Sequence, residues 1–248
     1  RNLAAAVERD TSAVVDGAGQ VVIRRQLKRR YVLAFFQKLP ACLVGIEACA
    51  SSHYWSRELK ALAHTVKLMP PAYVKPYVKR QKNDATDAEA ICEAVTRANM
   101  RFVATKTPEQ QSGLTLHRTR HLFIRQQTAV IHVIRAHLAE FGIVAPVGRK
   151  GVAALLDVVA NPTDTRVPAI ARACLAALGA QLCRLKEQIL EFDRMIIAWH
   201  RSHEASKRLD AIPGVGPVLA TALIASIADP KAFLAFYAGV VSRRRRAC

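Results

Sequence analysis

Glu47, Asp84 and Asp87 are the residues whose type and spacing could do chemistry. Glu47 closes the apolar run Leu43-Val44-Gly45-Ile46-Glu47. A carboxylate there is costly to desolvate unless a metal or a hydrogen-bond donor pairs with it. Asp84 and Asp87 are three apart at the start of a helix predicted over 84–96, so they share one face. Carboxylates brought together repel, and a divalent cation relieves the repulsion. Oxygen-only ligands select Mg²⁺ or Mn²⁺ over zinc. Metals held this way activate water or a hydroxyl and stabilise the leaving oxygen in phosphodiester cleavage. Asp84 and Asp87 are equally suited to capping the helix and complementing its dipole, and spacing alone leaves both roles open.

The segment Lys75-Pro76-Tyr77-Val78-Lys79-Arg80-Gln81-Lys82 runs straight into Asn83-Asp84. Cations beside an acidic pair suit a phosphodiester enzyme, since Lys75, Lys79, Arg80 and Lys82 can hold a strand while metals act on it. A solvated charge run is the plainer alternative. Gly214-Val215-Gly216 before a helix resembles the hairpin of a helix-hairpin-helix motif, where Gly214 and Gly216 let backbone amides approach a phosphate. A plain helix-helix turn explains it as well. The arginine runs Arg24–Arg30 and Arg243–Arg246 read as nucleic-acid contacts or solvated faces. His117, His121, His132 and His137 share a helix without forming one metal face and read as surface or interface residues. The sequence contains no Gly-x-x-x-x-Gly-Lys loop, Gly-x-Ser-x-Gly elbow or dinucleotide fingerprint.

Composition sets the class of partner. With 37 Lys+Arg against 19 Asp+Glu, the formal net charge is +18, which points to a polyanion such as nucleic acid. A hydrophobic share of 51% excludes a disordered basic tail, and 248 residues suit one large domain or two small ones. Aromatic residues at 6% argue against a broad base-stacking surface. The six cysteines form no C-x-x-C pair, and most sit in apolar sequence where a thiol acts as a small hydrophobe. The N-terminus lacks the order of a signal peptide, and Pro213, Gly214, Gly216 and Pro217 interrupt the uncharged stretch 211–228. A soluble cytoplasmic protein without a membrane segment is expected.

Three parts must position these residues. Over 13–107, strand and helix patterns alternate, which predicts an α/β sheet. Ser12–Val15 and Val21–Leu27 flank Asp16-Gly17-Ala18-Gly19 as a hairpin, 31–38 is helical, Leu43–Glu47 is a strand buried on both faces, 51–64 is a helix, and Val66–Met69 is a strand stopped by Pro70-Pro71. Residues 108–208 read as helical: Thr107-Pro108-Glu109-Gln110 starts one helix and Gly142 ends it. Leu175, Leu178, Leu182, Leu185, Ile189, Phe192, Ile196 and Trp199 are spaced alternately three and four apart, the seam of a coiled coil or of a bundle helix. Residues 209–248 open on Ile212-Pro213-Gly214-Val215-Gly216-Pro217 and continue as an apolar helix over 218–228.

The string Met69-Pro70-Pro71-Ala72-Tyr73-Val74-Lys75-Pro76-Tyr77-Val78-Lys79-Arg80-Gln81-Lys82-Asn83-Asp84-Ala85-Thr86-Asp87-Ala88, with Gly45-Ile46-Glu47-Ala48-Cys49-Ala50-Ser51 before it and Ile212–Pro217 after it, resembles the DEDD-type transposases of insertion sequences, recombinases guided by a bridge RNA. The resemblance covers residues 14 to 233. It implies an RNase H-like (RuvC-like) N-terminal domain over 1–107, a helical coiled-coil linker over 108–208 that supports homo-oligomers, and a partial helical C-terminal transposase domain over 209–248. Glu47, Asp84 and Asp87 match the second, third and fourth acids of the family's tetrad, with Mg²⁺ or Mn²⁺ as cofactor and DNA and a guide RNA as partners.

The chain departs from the pattern at both ends. Family members begin with a strand carrying the first Asp, whereas residues 1–13 do not match and leave that strand missing or replaced. Neither Asp10 nor Asp16 fits the tetrad. Family members also continue past Asp229-Pro230-Lys231-Ala232-Phe233 to a serine nucleophile whose context Ser242 lacks. The resemblance therefore implies a copy truncated or frame-shifted at both ends, with little or no recombination of its own. The rival expectations are a non-catalytic nucleic-acid-binding remnant and a nuclease of the Holliday-junction resolvase type.

Overall fold

The computed structural model describes residues 4–8, 11–15, 21–78 and 84–229, with side chains for 23, 27–78, 88–148 and 150–229. It divides between Thr107 and Pro108 into two compact units.

The first unit is built on five strands: β1 (Ala4–Glu8), β2 (Thr11–Val15), β3 (Val21–Gln26), β4 (Leu43–Glu47) and β5 (Thr65–Met69). Their order is β3-β2-β1-β4-β5. β1 pairs antiparallel with β2 and β2 antiparallel with β3, whereas β1, β4 and β5 run parallel. β2 and β3 are the hairpin that the sequence predicts; its turn, with Asp16, lies outside the described residues. The region left without a strand by the sequence reading does form one. β1 holds the place between β2 and β4, and its only carboxylate is Glu8. Asp10 lies outside the described residues.

Alternation along β4 sends its side chains to two cores. Val44 and Ile46 join Phe36 of α1 (Val32–Phe36), Trp55 and Leu59 of α2 (Ser52–Ala61), and Val66 and Leu68 of β5. On the other face Met69 packs with Ala88, Ile91, Cys92 and Val95 of α4 (Asp84–Val95) and with Val74 of α3 (Pro71–Val74). Gly45 sits under α4. A Cβ there would lie 2.9 Å from Ile91 Cγ2 and 3.0 Å from Val95 Cβ, so the missing side chain lets the helix rest on the sheet.

Buried His64 ties α1 to the start of β4. Its Nδ1 accepts from the Cys42 amide at 3.3 Å, and its Nε2 donates to the Phe36 carbonyl at 3.1 Å. Residues 103–106 run back along the sheet and α2. Val103 N–H donates to Leu68 O, Ser56 shares a hydrogen bond with Thr105, and Arg57 donates to Lys106 O. Burial pushes the Cys42 thiol up and that of Cys92 to about 12. Cys49, Cys174 and Cys183 are exposed, so apolar neighbours in sequence did not make them core residues.

The second unit holds α5 (Pro108–Ala139), α6 (Arg149–Ala160), α7 (Ala169–Ser202), α8 (Glu204–Asp210) and α9 (Pro217–Ser226). Past the end of α5, Gly142 takes φ +69° and its amide bonds Ala139 O, a glycine stop. The heptad seam of α7 is used inside the chain. Leu175, Leu182, Leu185 and Ile196 are buried, and Phe192 meets Phe123 of α5 edge to face at 5.5 Å. Gly113 of α5 lies against the Trp199 ring, where a Cβ would come within 2.6 Å. Arg120 pairs with Asp193 at 2.6 Å across the same two helices. Arg172 caps the C-terminal end of α6, donating to the carbonyls of Val158, Val159 and Asn161.

Residues 209–227 belong to this second unit. α9 begins with Gly216 as cap and Pro217 at its first turn. Gln110 of α5 donates to Ile224 O and Ile227 O at the far end of α9. Thr221 donates to Pro217 O, so His117 Nε2 donates to the Thr221 oxygen at 3.1 Å. Among the described residues no helix is long and apolar enough to cross a membrane.

Two outcomes follow. Gly45→Val forces α4 away from the sheet and lowers stability by about 1–3 kcal/mol, read from the denaturant midpoint. Burial, with Arg120 nearby, holds the His117 imidazole below its ordinary value of 6.5. The unfolded chain then takes up the proton first, so this stability is intact above 6.5 and lost as pH falls through the folded value. In thermal unfolding, acidification from about pH 7.5 to about pH 5.5 lowers Tm, and His117→Gln removes part of that dependence.

Candidate functional site

Glu47 is the last residue of β4, and its backbone is held on both sides. The Ala48 amide continues the pairing to Met69 O at 2.8 Å, the Cys49 amide bonds Glu47 O at 2.9 Å, and Ser52 Oγ donates to Cys49 O at 2.9 Å. The half-buried Glu47 therefore stands at the carboxyl end of a parallel strand, with a fixed turn behind it. In parity it shares its face with Gly45, the face covered by α4.

Sheet register adds a position that sequence spacing does not supply. β1 and β4 pair Ala6 with Gly45 and Val7 with Ile46, so the next step brings Glu8 level with Glu47. Chain order reverses here: β1 continues into β2 on one side and has β4 on the other. Such a switch point, at the carboxyl ends of parallel strands, is where open α/β sheets form their crevice. The signal that could have found Glu8 was its place at the end of Ala4-Ala5-Ala6-Val7-Glu8; the alanine run masked it as a strand.

α4 starts at Asp84, with Asp87 one turn on, so both acids fall where the helix dipole favours negative charge. Glu8, Asp84 and Asp87 enter through backbone position only; among the residues with described side chains, no group of three or more metal-ligating residues occurs.

The basic segment belongs to the link between β5 and α4. Chain continuity starts it at the carboxyl end of β5, beside Glu47 in register through the Glu47–Met69 pair. It passes through α3 and a single 3-10 turn, Lys75–Tyr77, where Lys75 is exposed. Lys79, Arg80 and Lys82 lie outside the described residues. Gly214 and Gly216 belong to the other unit. Gly214 takes φ +86°, the left-handed region, and the turn is closed by Val215 N–H on Ile212 O at 3.0 Å. Ser242 and the terminal arginines lie outside the described residues.

Comparison with known proteins gives a consistent result. A family model described as transposase, that of the DEDD transposases of IS110-type elements, matches residues 7–143. The chain is 44% identical over 236 residues to a protein named "Probable family 20 transposase" in Pseudomonas aeruginosa, covering 93% of this chain and 70% of that protein. It is 35% identical over 216 residues to the transposase for insertion sequence element IS1328 of Yersinia enterocolitica, covering 87% and 64%. It is 32% identical over 235 residues to the transposase for insertion sequence element IS1111A of Coxiella burnetii, covering 93% and 65%. The chain thus spans about two thirds of the length of these relatives.

Proposed function

The chain belongs to the DEDD transposases of IS110-type insertion sequences, and from that membership we propose that it is a metal-dependent DNA recombinase, cutting and rejoining strands under the direction of a guide RNA. One observation carries the reading: Glu47 ends β4 on the face that α4 covers, and α4 is the helix that begins with Asp84 and Asp87. The sheet order β3-β2-β1-β4-β5, three antiparallel strands beside two parallel ones, supports an RNase H-like domain. Glu8 is the candidate for the missing first acid, level with Glu47 by extension of the β1–β4 register.

The donor set fits Mg²⁺ or Mn²⁺, since every residue in it offers carboxylate oxygen and none offers sulfur or imidazole. Such a metal, when bound, supplies an activated water or hydroxyl and stabilises the leaving oxygen. The chain's own residues do the rest. Glu47 is aimed by the locked turn at 48–52, Asp84 and Asp87 are held by α4 packing on Gly45, and Lys75, Lys79, Arg80 and Lys82 hold phosphate beside them. The Gly214–Gly216 turn offers amides to a second phosphate at the start of α9. The helical unit, whose α7 seam is packed within the chain, joins copies of the chain through its other faces, and the protein works on DNA in the cytoplasm. Strand exchange by this chain is weak, because its first strand, Ala4–Glu8, carries no Asp.

The test is Mn²⁺ binding followed by electron paramagnetic resonance. Glu47→Gln and Glu8→Gln each weaken Mn²⁺ by about tenfold or more, because the ligand charge falls, while Asp10→Asn leaves it unchanged. Mn²⁺ affinity indifferent to Glu47→Gln overturns the metal reading. Alongside, wild-type chain with Mg²⁺, DNA and RNA gives a low level of cleavage that Glu47→Gln abolishes. Nucleic-acid binding without cleavage by either form marks a binding remnant instead, and cleavage of branched DNA without RNA marks a resolvase.

A further inference from the structure

α5 carries Arg118, Arg120, Arg125 and Arg135 and the histidines 117, 121, 132 and 137, yet no Asp or Glu between Glu109 and Glu140. The fold separates these groups. His117 faces Thr221, Arg120 is engaged with Asp193, and Arg135 donates to Ala145 O and Pro146 O. Arg118, His121, Arg125 and His132 are left exposed. Arg118, Arg125 and His132 are seven residues apart in turn, which keeps them on one line of the helix at intervals of about 10.5 Å. Among the described residues neither Arg118 nor Arg125 has an ion pair.

Aligned cations without counter-charges raise the energy of the isolated surface and lower it against a polyanion. From His132 the surface runs into a cleft of about 690 Å³ whose lining adds Lys186 of α7; the carboxylate there, Asp193, is already bound to Arg120. The aromatic ring of α5, Phe123, is turned inward on Phe192, so this face has no platform on which to stack unpaired bases. The interval between cations is close to the roughly 12 Å width of the B-DNA major groove, which lets successive arginines hold phosphates on its two walls.

We propose that the outer face of α5, centred on Arg118 and Arg125, is a docking surface for the phosphate backbone of duplex DNA. It is separate from the carboxylate site and needs neither metal nor cleavage. It adds affinity and orientation without reading sequence.

The test uses the full chain with two unrelated DNA duplexes and fluorescence anisotropy over a range of salt. Arg118→Gln with Arg125→Gln reduces the slope of log K against log salt by about 1.8, the loss of two phosphate contacts, and does so equally for both sequences. Arg118→Lys with Arg125→Lys keeps the slope, because a point charge suffices for phosphate. Both side chains are exposed, and an unchanged helical circular dichroism spectrum verifies the fold. The titrations omit divalent metal, which keeps this result apart from the metal reading. An unchanged slope in the double Gln variant overturns the proposal, as does a slope that falls for a structured RNA but not for duplex DNA.

Discussion

The contact on which the first unit depends is the seating of α4 on β4 at Gly45. Helices normally pack on a sheet through a layer of side chains. Here the helix comes close enough that Ile91 and Val95 occupy the space a β-carbon would need. The small residues Ala88, Ala90 and Ala94 of α4 serve the same closeness, and Met69 fills the edge. Because a side chain at 45 would lift the helix, one missing methyl group governs how closely α4 rests on the sheet.

The proposed site would bring the like charges of Glu47, Asp84 and Asp87 toward each other, which folding alone would disfavour. Three features reduce the cost. The carboxylates come from the ends of elements rather than their middles. The start of α4 supplies a favourable dipole. The link from β5 to α4 carries Lys75, Lys79, Arg80 and Lys82 and starts beside Glu47 in register. An acidic centre framed by lysines and arginines suits a polyanionic substrate whose reacting phosphate is to be held between metal and cations.

The helical unit solves a different problem. A heptad seam such as that of α7 invites a partner, and a partner from another molecule would consume it. Within the chain, α5 and α6 take up Leu175 and Leu182, while Gly113 lets the Trp199 end close tightly. With the apolar stripe satisfied internally, the outer face of α5 is free to carry Arg118 and Arg125.

The amino-acid sequence by itself determined the strands β4 and β5, the hairpin of β2 and β3, and the start and stop of α5. These rest on local physics: alternation, prolines at 70, 71 and 108, and glycine at 142. What only tertiary structure decided is pairing. Ala4-Ala5-Ala6-Val7-Glu8 has little strand propensity, and it becomes β1 because β2 and β4 present backbone donors and acceptors on both sides. That pairing sets Glu8 level with Glu47, a relation across 39 residues that no spacing rule contains. In the same way, Gln110 reads as a helix-start residue but also reaches the end of α9, and Cys174 and Cys183 read as core but face solvent. Local sequence encodes which element forms; which face it turns inward depends on a neighbour far away in the chain.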